Sequence, residues 1–290
     1  MKIACVDIGG TYLKTGLLEN GALTDVAETP TCAQKGAEAL LDTVAALVRA
    51  MPGAQRVGIS TAGEVDPATG TIRLSDNLPG YTGMPVKARL EAALGLPVAV
   101  VNDVNAAALG EYAFGAARGV NNFLMVSYGT GVGGAVVVNG ALYTGAGGSA
   151  GEFGGMLTHP EALDAADRGA GSYERYASTA ALVALARAVD PALDSGRAVF
   201  ARLAEPAVAA VVEAWAREVA VGLVGLIHAF DPAAVVLGGG IFREQLLRRR
   251  VPELVAPLLK PSFAACRLVG AALGNNAGLL GAGWLAQQLE

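Results

Sequence analysis

The sequence contains little cysteine and no long apolar run. Its 290 residues include three cysteines, Cys5, Cys32 and Cys266, which are odd in number and far apart. This spacing provides neither a disulfide framework nor a cysteine-based metal site, and it is typical of a reducing compartment. No apolar run approaches the ~20 residues of a membrane span, so no membrane partner is expected. Residues 1–10 enter a strand pattern without the features of a signal peptide, so we expect a cytoplasmic protein.

Basic residues are also scarce. The chain has 21 Lys and Arg residues against 26 Asp and Glu residues, a formal net charge of −5. Such a chain offers little counter-charge to a phosphate backbone, so nucleic acid is not expected as a partner. Hydrophobic residues make up 53% and charged residues only 16%. This composition indicates a globular chain with a large core, in one large domain or two ordinary ones.

Strand patterns alternate with helical patterns along the chain, which indicates an α/β fold. Residues 3–8 form a buried strand pattern, and apolar residues recur at helical spacing over about 36–51. The second half contains helical patterns at about 178–189 and 206–230. Residues 275–290 are predicted to form a closing helix.

A sequence pattern from the first segment returns in the middle of the chain. The letters NGAL at 20–23 recur at 139–142, and GT at 10–11 recurs at 129–130, both at a shift of 119 positions. Two turns at a common spacing predict a duplicated structural unit. The alternative is two unrelated hairpins that use the same common turn residues.

The glycine turns of the two repeats are candidates for a phosphate site. GGT at 9–11 and GTGVGG at 129–134 offer backbone N–H groups without a Cβ, together with a threonine hydroxyl. Neither is a Walker loop, and a strand pattern rather than a helix follows the second, which excludes a dinucleotide fingerprint. GGT alone is most often only a turn, so the interpretation depends on the pair.

Several motifs together resemble the ROK family of sugar kinases and related repressors. They are DIGGT at 7–11, NDVNAAALGE at 102–111, YGTGVGGA at 128–135, GSAGEFG at 148–154 and VLGGG at 236–240. The resemblance covers essentially the whole chain in order and spacing.

The resemblance implies a two-domain actin/hexokinase-like fold, a duplicated ribonuclease H-like α/β architecture. The turn-rich stretch near 115–121 places the expected domain boundary. We therefore expect residues 1–118 plus the helix at about 276–290 in one domain, and 119–275 in the other.

The resemblance also implies an ATP-dependent kinase with Mg²⁺ that phosphorylates a hexose, usually at its 6-hydroxyl, and commonly forms a homodimer. Asp7 would hold the Mg²⁺ through water, since Mg²⁺ prefers oxygen ligands and retained waters. The expected ATP-binding residues are Gly9, Gly10, Thr11, Lys14, Thr130, Gly131, Gly238 and Gly239.

Asp103 is the candidate general base, because a sugar hydroxyl that attacks a phosphate needs a carboxylate within hydrogen-bond reach. The alternative is that Asp103 caps the helix that follows it. By resemblance, Asn77, Asn102, Glu152 and Glu174 bind the sugar. Asn77 also fits a plain turn, and the glutamates also fit surface carboxylates.

The chain departs from the family at its zinc loop. Gly155 occupies the position of the family's histidine, and Ala165, Asp167 and Ser172 occupy three cysteine positions. Structural zinc needs four nitrogen or sulfur ligands, so we expect no zinc. His159 is an expected substitute in the sugar site, with a surface histidine as the alternative.

Two functions remain open at this stage. The first is a sugar kinase whose preferred sugar the sequence does not identify. The second is a non-catalytic sugar-sensing regulator of the same family. Family repressors carry a helix-turn-helix domain before the first motif, whereas this chain has six residues before Asp7. That difference, together with the acidic charge, favours the kinase.

Overall fold

The computed structural model describes residues 1–75 and 78–289, so Asn77 and the sugar contact predicted for it lie outside the described residues. The chain divides into two compact units. Unit 1 comprises Met1–Gly119, Leu142–Ala150 and Asn275–Glu290. Unit 2 comprises Val120–Ala141 and Gly151–Gly274.

The elements alternate as the sequence predicts. The described strands are β1 (Lys2–Ile8), β2 (Tyr12–Glu19), β3 (Ala22–Pro30), β4 (Arg56–Thr61), β5 (Glu64–Val65), β6 (Ile72–Leu74), β7 (Val98–Asn102), β8 (Phe123–Tyr128), β9 (Val132–Val138), β10 (Ala141–Leu142), β11 (Ala234–Gly238) and β12 (Arg267–Gly270). The described α-helices are α1 (Ala37–Arg49), α2 (Val86–Leu94), α3 (Asp103–Phe114), α4 (Tyr173–Ala177), α5 (Thr179–Val189), α6 (Gly196–Ala201), α7 (Pro206–Phe230), α8 (Gln245–Val255) and α9 (Ala277–Gln287).

The two larger sheets have the same topology. One has the order β3-β2-β1-β4-β7 and the other β10-β9-β8-β11-β12. In the first sheet, β1 pairs antiparallel with β2 and parallel with β4. In the second, β8 pairs antiparallel with β9 and parallel with β11. The predicted duplication is confirmed.

The hairpin turns of the two repeats also share a backbone conformation. Asn20 and Gly21 have φ of 52° and 79°, and Asn139 and Gly140 have φ of 53° and 77°. Positive φ at both central residues is the signature of the hairpin turns that match strand twist, and Asn-Gly tolerates it best. The repeated NG therefore has a conformational cause.

In unit 1, α9 packs on α3 and on β4 with almost no space between backbones. A Cβ on Gly281 would lie 1.7 Å from the carbonyl oxygen of Ala106, and a Cβ on Gly58 would lie 2.2 Å from that of Ala282. These glycines are required by close approach, since both distances are far below contact. The packing also brings Gly278 of α9 to Ser60.

The core of unit 2 surrounds α7. Its buried side chains include Trp215, Val219 and Leu223, and Gly222 leaves room for the buried ring of Tyr173. The Tyr173 hydroxyl donates to the Val219 carbonyl at 2.7 Å, so the polar end of this ring is satisfied. Within the described chain, no helix combines the length and apolar character needed to cross a membrane.

Replacing Gly281 by alanine is expected to destabilise unit 1, because the new methyl group collides with backbone that has no rotamer to change. We expect a loss of about 1–3 kcal/mol in the free energy of unfolding, measured in urea. Gly225→Ala on α7 is the matched control, since its Cβ would meet no atom within 4 Å. It should be neutral or stabilising by up to about 1 kcal/mol. Equal midpoints for the two variants would contradict the packing.

Candidate active site

The carboxyl ends of three parallel strands meet at one edge of the sheet in unit 1. In the register, Asp7 of β1 lies beside Ser60 of β4, and Thr61 of β4 lies beside Asn102 of β7. Such an edge is where ligands bind in open α/β sheets. The fold therefore brings together Asp7 and the NDVN segment, which are far apart in the sequence.

Asp7 has a fixed side chain. The Ser60 hydroxyl donates to its Oδ1 at 2.6 Å, and Lys14 faces it across the β1–β2 ladder. Burial raises the pKa of Asp7, while the Ser60 hydrogen bond and the Lys14 charge lower it in part. Sequence reasoning missed Ser60, whose only signal is its register beside Asp7.

Lys14 has partners of its own. Its ammonium donates to the Asn275 carbonyl at 3.0 Å and lies 3.3 Å from Glu28. This expected ATP-binding residue therefore ties β2 to the segment before α9, near Asp7. A ligand would have to share or replace these contacts.

Asn102, rather than Asp103, is the cap of α3. Its Oδ1 accepts hydrogen bonds from the backbone of Val104 at 2.9 Å and Asn105 at 3.1 Å, and its Nδ2 donates to the Gly63 carbonyl at 3.1 Å. The Asn102 side chain also forms a hydrogen bond with the Asp103 carboxylate, so both Nδ2 hydrogens have partners in the protein. Asp103 is the first helical residue, and its Oδ1 accepts a bond from the Val104 N–H at 2.9 Å.

The Asp103 side chain is accessible, although protein atoms surround it. Desolvation by those atoms, followed by the negative charge of Asp7, raises the pKa of Asp103 to about 6. The hydrogen bonds from Val104 and Asn102 act in the opposite direction. A carboxylate with a pKa near neutral that is open to solvent is suited to accept a proton from a ligand.

The glycine turn of unit 1 lies between β1 and β2. The Gly9 N–H donates to the Tyr12 carbonyl at 3.1 Å, and the Thr31 hydroxyl donates to the Gly9 carbonyl at 2.7 Å. Gly10 and Thr11 are exposed, and a Cβ on Gly10 would meet no atom within 4 Å. Hydrogen bonds therefore fix the base of the turn, while Gly10 and Thr11 at its tip remain exposed.

Unit 2 brings two glycine segments together. The Gly129 N–H bonds to the Gly131 carbonyl at 2.9 Å, and Thr130 at the tip is exposed. Gly239 has φ of 90°, and its Cβ would lie 2.1 Å from the Tyr128 carbonyl oxygen. Gly238, which ends β11, lies beside β8. The predicted ATP-binding residues of this unit are thus neighbours.

Glu174 lies against the same turn. Its Oε2 accepts a long hydrogen bond from the Val132 N–H at 3.4 Å and would lie 2.6 Å from a Cβ on Gly131. It also contacts Gly154, in the segment that carries the exposed Glu152. The two predicted sugar-binding glutamates therefore lie in one region, and Glu174 links it to the glycine turn.

His159 is half-buried in protein contacts. Its ring stacks on Tyr176 with centroids 3.6 Å apart and planes 13° apart. Its Nε2 lies 3.4 Å from Glu218 Oε2, and its Nδ1 lies 3.1 Å from the Thr158 hydroxyl. Sequence reasoning missed Tyr176 and Glu218, because no pattern in the sequence links them to His159.

The segment that corresponds to the zinc loop has different contacts. Across the part of the chain that the structure describes, no three His, Cys, Asp or Glu side chains form a group able to hold a metal. Asp167 instead pairs with Arg175 and accepts a hydrogen bond from the Gly169 N–H at 2.9 Å. Ala165 offers no ligand atom at its position.

Comparison with known proteins gives consistent matches over the whole chain. The ROK family model matches residues 3–289. A glucokinase from Streptomyces coelicolor is 34% identical, with 98% of this chain and 96% of that protein covered. A beta-glucoside kinase from Klebsiella pneumoniae is 33% identical, with coverages of 100% and 97%.

A solved structure agrees with these relatives. A ROK family glucokinase from Streptomyces griseus, in complex with glucose and AMPPNP, superposes with a TM-score of 0.86 at 32% identity and covers all of both chains. The expected two-domain actin/hexokinase-like fold class is confirmed by this likeness.

The electrostatic coupling in unit 1 predicts a titration that can be measured directly. In protein labelled with ¹³C-aspartate, the Asp103 carboxyl should titrate with a midpoint near pH 6. Asp7→Asn should lower this midpoint, because removing the neighbouring negative charge favours ionised Asp103. Asp66, whose pKa is lowered mainly by its hydrogen bond with Arg73, is the internal control and should not move. An Asp103 midpoint unaffected by Asp7→Asn would rule out the coupling.

Proposed function

The chain belongs to the ROK family, and we propose that it is an ATP-dependent sugar kinase that phosphorylates a hexose or hexoside, at the 6-hydroxyl. The observation that carries the proposal is Asp103. This residue is exposed at the carboxyl edge of a sheet, its carboxyl is not needed to cap α3, and desolvation raises the pKa of that carboxyl towards neutrality. Kinase relatives at 33–34% identity over nearly the full chain support the same reaction class.

In the proposed reaction, Asp103 accepts the proton of the sugar hydroxyl as the hydroxyl oxygen bonds to the γ-phosphorus. The bond from the γ-phosphorus to the β–γ bridging oxygen breaks, and that oxygen leaves with ADP. Proton acceptance by a positioned carboxylate contributes part of the rate, and positioning and charge neutralisation contribute the rest.

The remaining polar residues would hold the two substrates. Glu152 and Glu174 are exposed carboxylates that can accept hydrogen bonds from sugar hydroxyls. Asn102 would bind the sugar by sharing the Nδ2 hydrogen that it directs to Asp103. The bare turns at 9–11 and 129–131 would donate backbone N–H groups to the phosphates of ATP.

Asp7 fits the requirements of a Mg²⁺ site. Its Oδ1 is oriented by Ser60, and it lies in β1, two residues before the Gly9–Thr11 turn. Mg²⁺ keeps several waters and binds through one or two carboxylates together with substrate phosphates. When bound, the ion would neutralise phosphate charge. Asp7 would hold it through water, and the Ser60 hydroxyl would keep the Asp7 carboxylate in place.

Asp103→Asn tests the proposed base. The variant keeps the size and the Val104 hydrogen bond but loses basicity, so kcat should fall by roughly 10²–10⁴-fold while sugar still binds. In the wild type, kcat/KM should fall as the pH falls through about 6, because the base must be deprotonated. A coupled ADP-release assay over a panel of hexoses, amino sugars and glycosides provides both measurements.

Asp42→Asn, which removes a carboxylate at an exposed position of α1, is the control and should leave kcat near the wild-type value. Near wild-type turnover in Asp103→Asn would reject the role of Asp103. A wild-type protein that binds sugars but releases no ADP with any of them would favour the non-catalytic sensor.

Gly155 bears on which sugars are accepted. It is exposed, and a Cβ there would meet no atom within 4 Å, so the position of the family's histidine is open space. Only a site built to bond a hydroxyl rejects strongly a sugar that lacks it. We therefore propose weak discrimination at C1 and C2 and room for a β-glucoside, the acceptor named for the Klebsiella pneumoniae relative.

Gly155→His should reverse this tolerance without disturbing the fold, since the space is open. The wild type should use glucose, 2-deoxyglucose and a β-glucoside with comparable kcat/KM. The variant should favour glucose by about 2- to 10-fold, as expected for a gained hydrogen bond. Gly155→Ala, which adds only a methyl group, is the control. Strong preference of the wild type for glucose, or an unchanged ranking in Gly155→His, would overturn the proposal.

A further inference from the structure

The segment 157–172 must be held without the metal that the family places there. It begins after Met156 and ends before Tyr173, whose N–H donates to the Met156 carbonyl at 2.7 Å. The N–H groups of Thr158 and His159 both donate to the Gly171 carbonyl, at 3.0 and 3.1 Å. These bonds close the two ends of the segment immediately before α4, the helix that carries Glu174.

The Asp167–Arg175 ion pair stabilises this segment only weakly. The Asp167 and Arg175 side chains are 46% and 55% exposed, so water and salt screen the pair. Exposed pairs of this kind contribute between zero and about 1 kcal/mol. The buried Tyr173 anchors the start of α4 in the core, so the contact that remains to be identified is one that joins the segment to the rest of this helix.

His159 provides that contact. Its stacked partner Tyr176 lies on α4, two residues beyond Glu174, and Glu218 on α7 approaches the Nε2 edge of the ring. The side chains of His159 and Glu218 are 21% and 31% exposed, so this cluster is better shielded than the ion pair. The imidazole joins the segment, α4 and α7.

The two ring nitrogens also indicate what His159 does not do. Nδ1 faces the Thr158 hydroxyl and Nε2 faces the Glu218 carboxylate. One face of the ring is covered by Tyr176. These contacts occupy the polar atoms through which His159 would bond a sugar hydroxyl.

We propose that His159 is a positioning residue, which holds α4 through Tyr176 and so fixes the Glu174 carboxylate against Val132 and Gly154. This assignment replaces the direct sugar contact expected of His159 from the sequence. It rests on the proposed function, because Glu174 is there a sugar ligand. In this chain an aromatic stack takes the place of a metal-bound loop.

Two substitutions of His159 distinguish the contribution of its aromatic ring from that of its two nitrogens. His159→Phe keeps the stack and loses both nitrogens, whereas His159→Gln keeps polar groups and loses the ring. His159→Gln and Tyr176→Leu should each raise the sugar KM by about 2- to 10-fold, the range for loss of an aromatic pair. His159→Phe and Tyr176→Phe should remain within about twofold of wild type. The KM for ATP should be unchanged throughout.

The double variant His159→Gln/Tyr176→Leu tests whether the two side chains act as a pair. Its sugar KM should be no higher than that of either single variant, since the same contact is lost once. Additive effects would contradict the pair. A loss in His159→Phe as large as in His159→Gln would show that the ring nitrogens, and not the stack on Tyr176, carry the effect, and would overturn the positioning role of the stack.

A structural readout keeps the proposal testable without activity. The Val132 amide, bonded to Glu174, should shift in ¹H–¹⁵N spectra of His159→Gln and Tyr176→Leu and remain in place in His159→Phe. An absence of sugar phosphorylation by the wild type would refute the proposed function alone. An unchanged Val132 amide in His159→Gln would refute the positioning role alone.

Discussion

The parallel register of β1, β4 and β7 places Asp7, Ser60 and Asn102 at one edge of the sheet in unit 1. Everything proposed for catalysis depends on this register, because a slip of one residue would turn Asp7 to the other face. Gly58 of β4 and Gly281 of α9 allow α9 to lie at backbone contact on this sheet and on α3. Two carboxylates then share one edge, and their repulsion is part of what raises the pKa of Asp103.

The duplication repeats the backbone but not the chemistry. The topology and the Asn-Gly turns recur in unit 2, yet the residue that corresponds to Asp7 at the shift of 119 is Val126, which is fully buried. The acids of the proposed reaction therefore come from unit 1. Unit 2 contributes instead Glu152 and Glu174, which lie outside the repeated segment.

The sequence predicted those parts of the molecule that local chemistry determines. Periodicity located α7 at 206–230, and the NG pairs located both hairpins. It did not predict β12 (Arg267–Gly270), a short strand whose half-buried residues give no clear alternation. It left open whether Asp103 or a neighbour caps α3, because adjacent Asn and Asp have equal cap preferences.

The surroundings of His159 were beyond prediction for a different reason. A pattern along one chain segment does not specify which side chains of α4 and α7 approach it. Tyr176 lies 17 positions after His159, and Glu218 lies 59 positions after His159. Only tertiary packing brings the three side chains together. The same holds for Ser60, which is 53 positions from Asp7 and meets it through strand pairing.

The structure also distinguishes turn glycines that pack closely against other atoms from those that do not, which the sequence alone could not do. A Cβ on Gly9 would lie 3.0 Å from the Tyr12 carbonyl oxygen, and a Cβ on Gly131 would lie 2.6 Å from Glu174. A side chain on Gly9 would therefore crowd the backbone, and one on Gly131 would displace the Glu174 carboxylate. Gly10 and Gly129 are different, since both are exposed, neither would meet an atom within 4 Å, and each is the counterpart of the other in the repeat. The packing of the protein does not require glycine at these two positions. A phosphate that binds bare backbone N–H groups would explain why both are glycine.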